Sequence, residues 1–194
     1  MDTWKRTSGK LDRLSRRAVV TGLGAAGLAV LAPVSGASKP ADIAGFAPEP
    51  WFAETTRDLT KDLAAAAKAD KYLALLWEQH GCHYCEELHK VNFKTPEIVA
   101  LGKKHFHTLQ MDLWGDREFV DFDTEKRAEK EVARGRFVRA TPVMLFFDGD
   151  GDEVFRIPGY APPPLFLAAY QFVIEQGFED GSFRNWMAKR QSAG

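Results

Sequence analysis

The chain is poor in cysteine, with two in 194 residues, Cys82 and Cys85. That scarcity excludes a disulfide-stapled scaffold and a four-cysteine structural zinc site. Residue 86 is Glu, so the histidine that a c-type haem attachment needs after its second cysteine is missing. An excess of positive charge is also lacking, since 26 basic side chains stand against 27 acidic ones. Nucleic acid and anionic lipid are therefore poor partners. Beyond residue 40 no apolar run approaches the roughly 20 residues that span a bilayer, and no internal repeat is visible.

What is present begins with an export signal over residues 1–37. Basic residues up to Arg17 precede an uncharged run from Ala18 to Val34, closed by the small residues Ser35, Gly36 and Ala37. Arg16-Arg17 with Val19 and Val20 behind it gives a twin-arginine-like signal, although no lysine follows, and points to the periplasm. An uncleaved N-terminal membrane anchor is the alternative. Cleavage after Ala37 removes six basic and two acidic residues and leaves a mildly acidic chain of formal charge −5. Residues 38–49, rich in proline and alanine, read as a linker, and 50–194 as one domain.

Within that domain the periodicities alternate. Helical spacing predicts a helix from Pro50 to Lys68, and the apolar run from Lys71 to Gln79 a buried strand. A helix follows from Cys82, and Thr95-Pro96-Glu97 caps another. Phe106 to Trp114 reads as a strand, Gly115 to Glu125 as an acidic loop, and the charged stretch from Thr124 to Phe137 as a helix. Val143 to Pro158 is a β-hairpin around Asp-Gly-Asp-Gly, with a helix from Pro162 and a short final one. Strands alternating with helices and closing in a hairpin predict an α/β fold with a mixed central sheet flanked by helices.

Both cysteines sit in His80-Gly-Cys-His-Tyr-Cys-Glu86, at the junction of the first strand with a helix. A disulfide closing so small a loop restrains the unfolded chain little, so reactivity explains the pair better than stability does. At a helix N-terminus the free backbone N–H groups and the dipole stabilise a thiolate. Cys82 is therefore expected to attack and Cys85 to resolve. His83, if protonated, favours that thiolate, and Tyr84 offers a phenol and an aromatic face. A metal centre recruiting Cys82, Cys85, His80, His83 or His89 is the rival, but one cysteine pair supplies half a structural site. No metal and no cofactor beyond the Cys82–Cys85 pair is expected.

The order strand, CxxC at a helix start, then Thr-Pro before a hairpin resembles the thioredoxin superfamily from about residue 50 to 177. More narrowly, EQHGCHYCEELHKVNF, QMDLWGDREFVDFD, RATPVMLFFD and IPGYAPP resemble the SoxW-type periplasmic thioredoxins of bacterial sulfur-oxidation systems. The resemblance implies a thioredoxin-like fold and a cis Pro142 beside the cysteines, with Thr141 and Pro142 holding a client backbone. It further implies a thiol-disulfide reductase fed by a membrane thiol electron donor, acting on a protein disulfide client, a sulfur-carrier protein among the options. An oxidase or isomerase using the same residues, and a metal-delivery module, are the alternatives. Two positions depart from the ordinary pattern. His83-Tyr84 replaces Gly-Pro, and Leu76 stands where a buried aspartate assists proton transfer, which leaves Glu78, on the same strand end, as a candidate replacement, with a simple surface acid as the alternative. Trp77, Tyr84 and the loop from Trp114 to Glu118 are expected to shape the client surface.

Overall fold

The computed structural model describes residues 42–192. The first strand, β1 (Tyr72–Glu78), is inaccessible to solvent from Leu73 onward and organises everything around it. Its alternating side chains point to opposite faces. Leu73, Leu75 and Trp77 enter one apolar cluster with Leu59, Leu109, Phe119, Val132 and Leu145. Ala74 and Leu76 enter the other with Leu88, Phe93, Ile98, Phe146, Phe166 and Tyr170.

Three further strands complete the sheet, β2 (Phe106–Asp112), β5 (Val143–Phe147) and β6 (Glu153–Pro158), in the order β2-β1-β5-β6. The β1–β2 pair is parallel and the β1–β5 and β5–β6 pairs are antiparallel, so the sheet is mixed. Helices α1 (Leu59–Lys68) and α4 (Glu129–Gly135) cover the first face. Helices α2 (His83–Lys90), α3 (Pro96–His105) and α5 (Pro163–Ile174) cover the second. The short α6 (Gly177–Asp180) and α7 (Phe183–Ser192) close the chain. The expected α/β architecture is the one observed, and no described helix is long and apolar enough to cross a membrane.

Three expectations change. The first helix starts at Leu59 and not at Pro50. Thr55 Oγ1, the Thr56 N–H and Thr56 Oγ1 all donate to the buried Asp62 carboxylate, at 2.6, 2.9 and 2.8 Å, and Asp58 caps the helix. These side chains offer the backbone a better partner than a helical turn would. Second, the acidic loop and the front of the charged helix form a small hairpin, β3 (Glu118–Val120) with β4 (Lys126–Ala128), which leaves α4 only seven residues. Phe119, fully buried, drives it, while Asp121 pairs with Arg136 and Asp123 with Arg127. Third, residues 42–49 of the expected linker lie against the domain. Ala44 and Glu49 are buried there, and the Phe46 ring stacks on His89. The expected export signal lies outside the described residues.

Candidate active site

The strand-to-helix junction turns through Gly81, whose φ of +74° suits glycine. Cys82 follows as the extended N-cap of α2, and the Cys85 N–H donates to Cys82 Sγ at 3.1 Å. The two cysteines are joined as a disulfide, their Cα atoms 5.2 Å apart. Cys82 keeps 7% of its surface and Cys85 none, so an incoming sulfur reaches Cys82. His83 and Tyr84 are exposed between them, and the Tyr84 ring stacks on Tyr160 at 5.7 Å. Tyr160 was not singled out from sequence, because 76 residues separate the two rings and only the fold brings them together.

The β1–β5 register pairs Trp77 with Val143, which places Thr141 and Pro142 at the same end of the sheet as the cysteines. The Thr141–Pro142 peptide bond is cis, and Thr141 Oγ1 is buried without a hydrogen-bond partner. At the adjoining edge the Trp114 indole N–H donates to Gln79 Oε1 at 3.1 Å, and Trp114 is 67% exposed. Its loop is pinned by the buried Glu129, which accepts from the Asp112 N–H at 2.7 Å and from Arg117 Nε at 2.8 Å. Trp77 does not belong to this surface. As an odd-numbered residue of β1 it points into the core under α1 and α4 and is fully buried, so it cannot touch a client.

Glu78, the last residue of β1, is also fully buried, which removes any reading of it as a surface acid. It lies on the same strand face as Leu76, two residues on. Its carboxylate accepts from Gln110 Nε2 at 2.6 Å and lies 3.0 and 3.2 Å from His89 Nε2. The other nitrogen of the ring, His89 Nδ1, is 2.9 Å from Glu49 Oε1, and Glu49 also accepts from Lys94 Nζ at 2.7 Å. An ionised carboxylate only accepts, so a protonated ring that donates from both nitrogens is the form that satisfies both contacts. Burial works against that charge, but hydrogen bonds and charge from Glu78 and then Glu49 outweigh it and raise the His89 pKa above the ordinary imidazole value.

Among the described residues no group of three or more His, Cys, Asp or Glu side chains is arranged to hold a metal ion. The two nitrogens of His89 are engaged by carboxylates, and the sulfurs by each other. The redox group is the cysteine pair itself. The His89 position carried a readable signal, since it lies four residues after Cys85 and thus on the same helix face. Its partner Glu49 carried none, sitting in a stretch with linker composition.

A family model described as a thioredoxin-like domain matches residues 59–174. No curated protein matches the chain. Among solved structures, a thioredoxin-fold protein from Helicobacter pylori superposes with a TM-score of 0.55 at 24% identity, over 69% of this chain and 94% of that one. A candidate disulphide isomerase from Bacteroides thetaiotaomicron does so with a TM-score of 0.51 at 26% identity, over 64% of this chain and 92% of that one.

Proposed function

The chain belongs to the thioredoxin-like domain family, and from that premise we propose that it exchanges disulfides with protein clients outside the cytoplasmic membrane, as a disulfide donor or isomerase. Thiol-disulfide oxidoreductase chemistry at Cys82–Cys85 is the common ground of the donor, isomerase and reductase readings. The observation that carries the direction is Cys82 at the N-cap of α2 with the Cys85 N–H aimed at its sulfur. Once the pair is reduced, that N–H and the helix dipole both favour a Cys82 thiolate. A stabilised thiolate stabilises the reduced form and makes the disulfide a better oxidant. The likeness to the Bacteroides protein supports the same direction.

In donation, a client thiolate attacks Cys82 Sγ, the Cys82–Cys85 bond breaks, and Cys85 leaves as a thiolate that takes up a proton. A second client thiolate then attacks the client sulfur of the mixed disulfide and releases Cys82. In isomerisation the reduced Cys82 thiolate attacks a client disulfide, and a client thiol displaces it. Thr141 and Pro142 hold the client backbone, with Tyr84 and Trp114 flanking it. The acidic exported chain and its twin-arginine-like signal support a periplasmic setting, with the domain folded before export. Loss of the protein from the periplasmic fraction of cells lacking the twin-arginine translocase is the expected outcome; its survival there overturns that route.

The decisive measurement is the reduction potential of Cys82–Cys85 in a glutathione redox buffer. A donor or isomerase gives a value between roughly −120 and −180 mV. A value near roughly −270 mV overturns the proposed direction. It would instead favour a reductase drawing electrons from a membrane thiol donor, the role implied by resemblance to SoxW-type proteins with a sulfur-carrier client.

A further inference from the structure

Helix α7 lies beyond residues 59–174, the span of the thioredoxin-like match, and the exchange proposed at Cys82 makes no use of it. Aromatic packing holds it down. Phe183 meets the rings of Phe155 on β6 and Phe172 on α5, each at 5.3 Å, and Trp186 packs on Phe172 at 5.6 Å. Arg190 covers the Trp186 ring at 4.6 Å and pairs with Glu175, the residue that ends α5, at 2.8 Å. No residue of α7 is fully enclosed, so the helix stands as a wall at the surface.

That wall bounds a groove of about 300 Å³ between β6 and the start of α5, with Ile157, Leu165 and Ala169 along it, Tyr160 at one end and Phe155 with Phe183 at the other. The one charged residue in its lining, Arg156, is already engaged by Glu153 and by the Arg136 carbonyl. Leu165 is 42% exposed, and a Cβ built on Gly159 would meet nothing within 4 Å. A charged group gains no partner in such a groove, whereas an apolar one gains by leaving water. Its volume is at the small end of ligand pockets, which start at roughly 300 Å³, and suits a large side chain with its neighbours.

Tyr160 joins the groove to the active site. Its ring stacks on Tyr84, and Tyr84 lies between the two cysteines. Pro158 pairs with Val143, the residue after Pro142, so this end of β6 adjoins the cis-proline. A client that reacts lays its cysteine on Cys82. Two residues of chain and one ring stack separate Cys82 from the groove, on the order of 10 Å, which an extended client crosses in about three residues.

We propose that this groove is a client subsite that takes a large apolar side chain, leucine, methionine or phenylalanine, about three residues from the client's reactive cysteine. The inference rests on the thiol-disulfide reading above and names its substrate class. Preferred clients are extended segments with apolar residues beside the cysteine, as in a polypeptide still folding, because a folded protein keeps such side chains inside. Tyr160, Leu165 and Phe183 set specificity, and the sulfur chemistry stays with Cys82 and Cys85.

The test uses the reduced full chain carrying Cys85→Ser, which holds the mixed disulfide. The Cys82 thiolate attacks a symmetrical peptide disulfide, one peptide stays bonded to Cys82, and the other leaves as a thiolate. Two peptides are compared, each with a central cysteine and Gly-Ser spacers, one ended on both sides by phenylalanine and the other by serine. The phenylalanine peptide is expected to form the adduct about tenfold faster, read by mass at limiting peptide. Leu165→Asn and Phe183→Ser should each bring the two rates to within about threefold. Leu165→Asn, at an exposed position, carries the test if Phe183→Ser does not fold. Phe137→Ser, which removes a 73% exposed ring outside the groove, should keep the preference. Equal rates for the two peptides, or a preference untouched by both groove variants, overturns the subsite while leaving thiol exchange intact. A chain that forms no adduct with either peptide or with oxidised glutathione overturns the redox reading instead.

Discussion

At the scale of single residues, the two cysteines divide their work by exposure. Cys82 presents its sulfur at the surface end of α2, and Cys85 is sealed beneath it. Cys82→Ser is therefore expected to abolish exchange with any disulfide. Cys85→Ser should retain attack and accumulate mixed disulfides, visible as reducible high-mass species on a non-reducing gel. Equal trapping by both variants would contradict the assignment. His89 makes a different prediction, about stability. Its folded pKa is raised, so the native state binds its proton more tightly than the unfolded chain does. The resulting stabilisation is complete below the unfolded imidazole value near ~6.5 and is lost as pH rises through the higher folded value. Urea denaturation should show wild type exceeding His89→Gln by more at pH 6 than at pH 9. A difference independent of pH would mean that the ring acts by packing alone.

At the scale of elements, legibility followed the source of the ordering force. β1, β5, β6 and α5 were readable because burial imposes its period directly on their sequences, as in Leu73 to Trp77 and Val143 to Phe147. The CxxC helix was readable because its chemistry is local. Residues 50–58 were not, since the Thr55, Thr56 and Asp62 network is built by side chains competing with the backbone, a competition that apolar spacing does not record. The β3–β4 hairpin was hidden for a related reason. Its strands have three residues each, too short for alternation, and one buried ring, Phe119, anchors them. Glu49 escaped because a single carboxylate finds its partner 40 residues away. The hairpin makes a direct prediction. Phe119→Ala should cost about 3–5 kcal/mol in equilibrium unfolding. It should also loosen the Trp114 loop, which hangs between Glu129 and the hairpin, seen as faster amide exchange at 114–118. A cost below about 1 kcal/mol would show that the hairpin is a surface ornament.

At the scale of the whole molecule, redox direction and folding stability are one quantity seen from two sides. Oxidised folded, reduced folded, oxidised unfolded and reduced unfolded chains form a closed cycle. The potential of Cys82–Cys85 in the folded protein therefore departs from that of the unfolded chain by the difference in unfolding free energy between the two redox states. Every contact that favours a Cys82 thiolate, from the Cys85 N–H to the dipole of α2, acts more strongly on the charged sulfur of the reduced folded state than on the neutral disulfide. Against it stands the small loop closed by the disulfide, whose restraint on the unfolded chain is weak. The thiolate contacts win for a disulfide donor, and the reduced protein is then the more stable one. Urea midpoints measured with and without dithiothreitol should show the reduced form unfolding at the higher concentration, with 1.4 kcal/mol of difference corresponding to about 30 mV of potential. An oxidised form that outlasts the reduced one reverses the sign of the cycle, and would make reduction of clients the direction in which this fold drives the exchange.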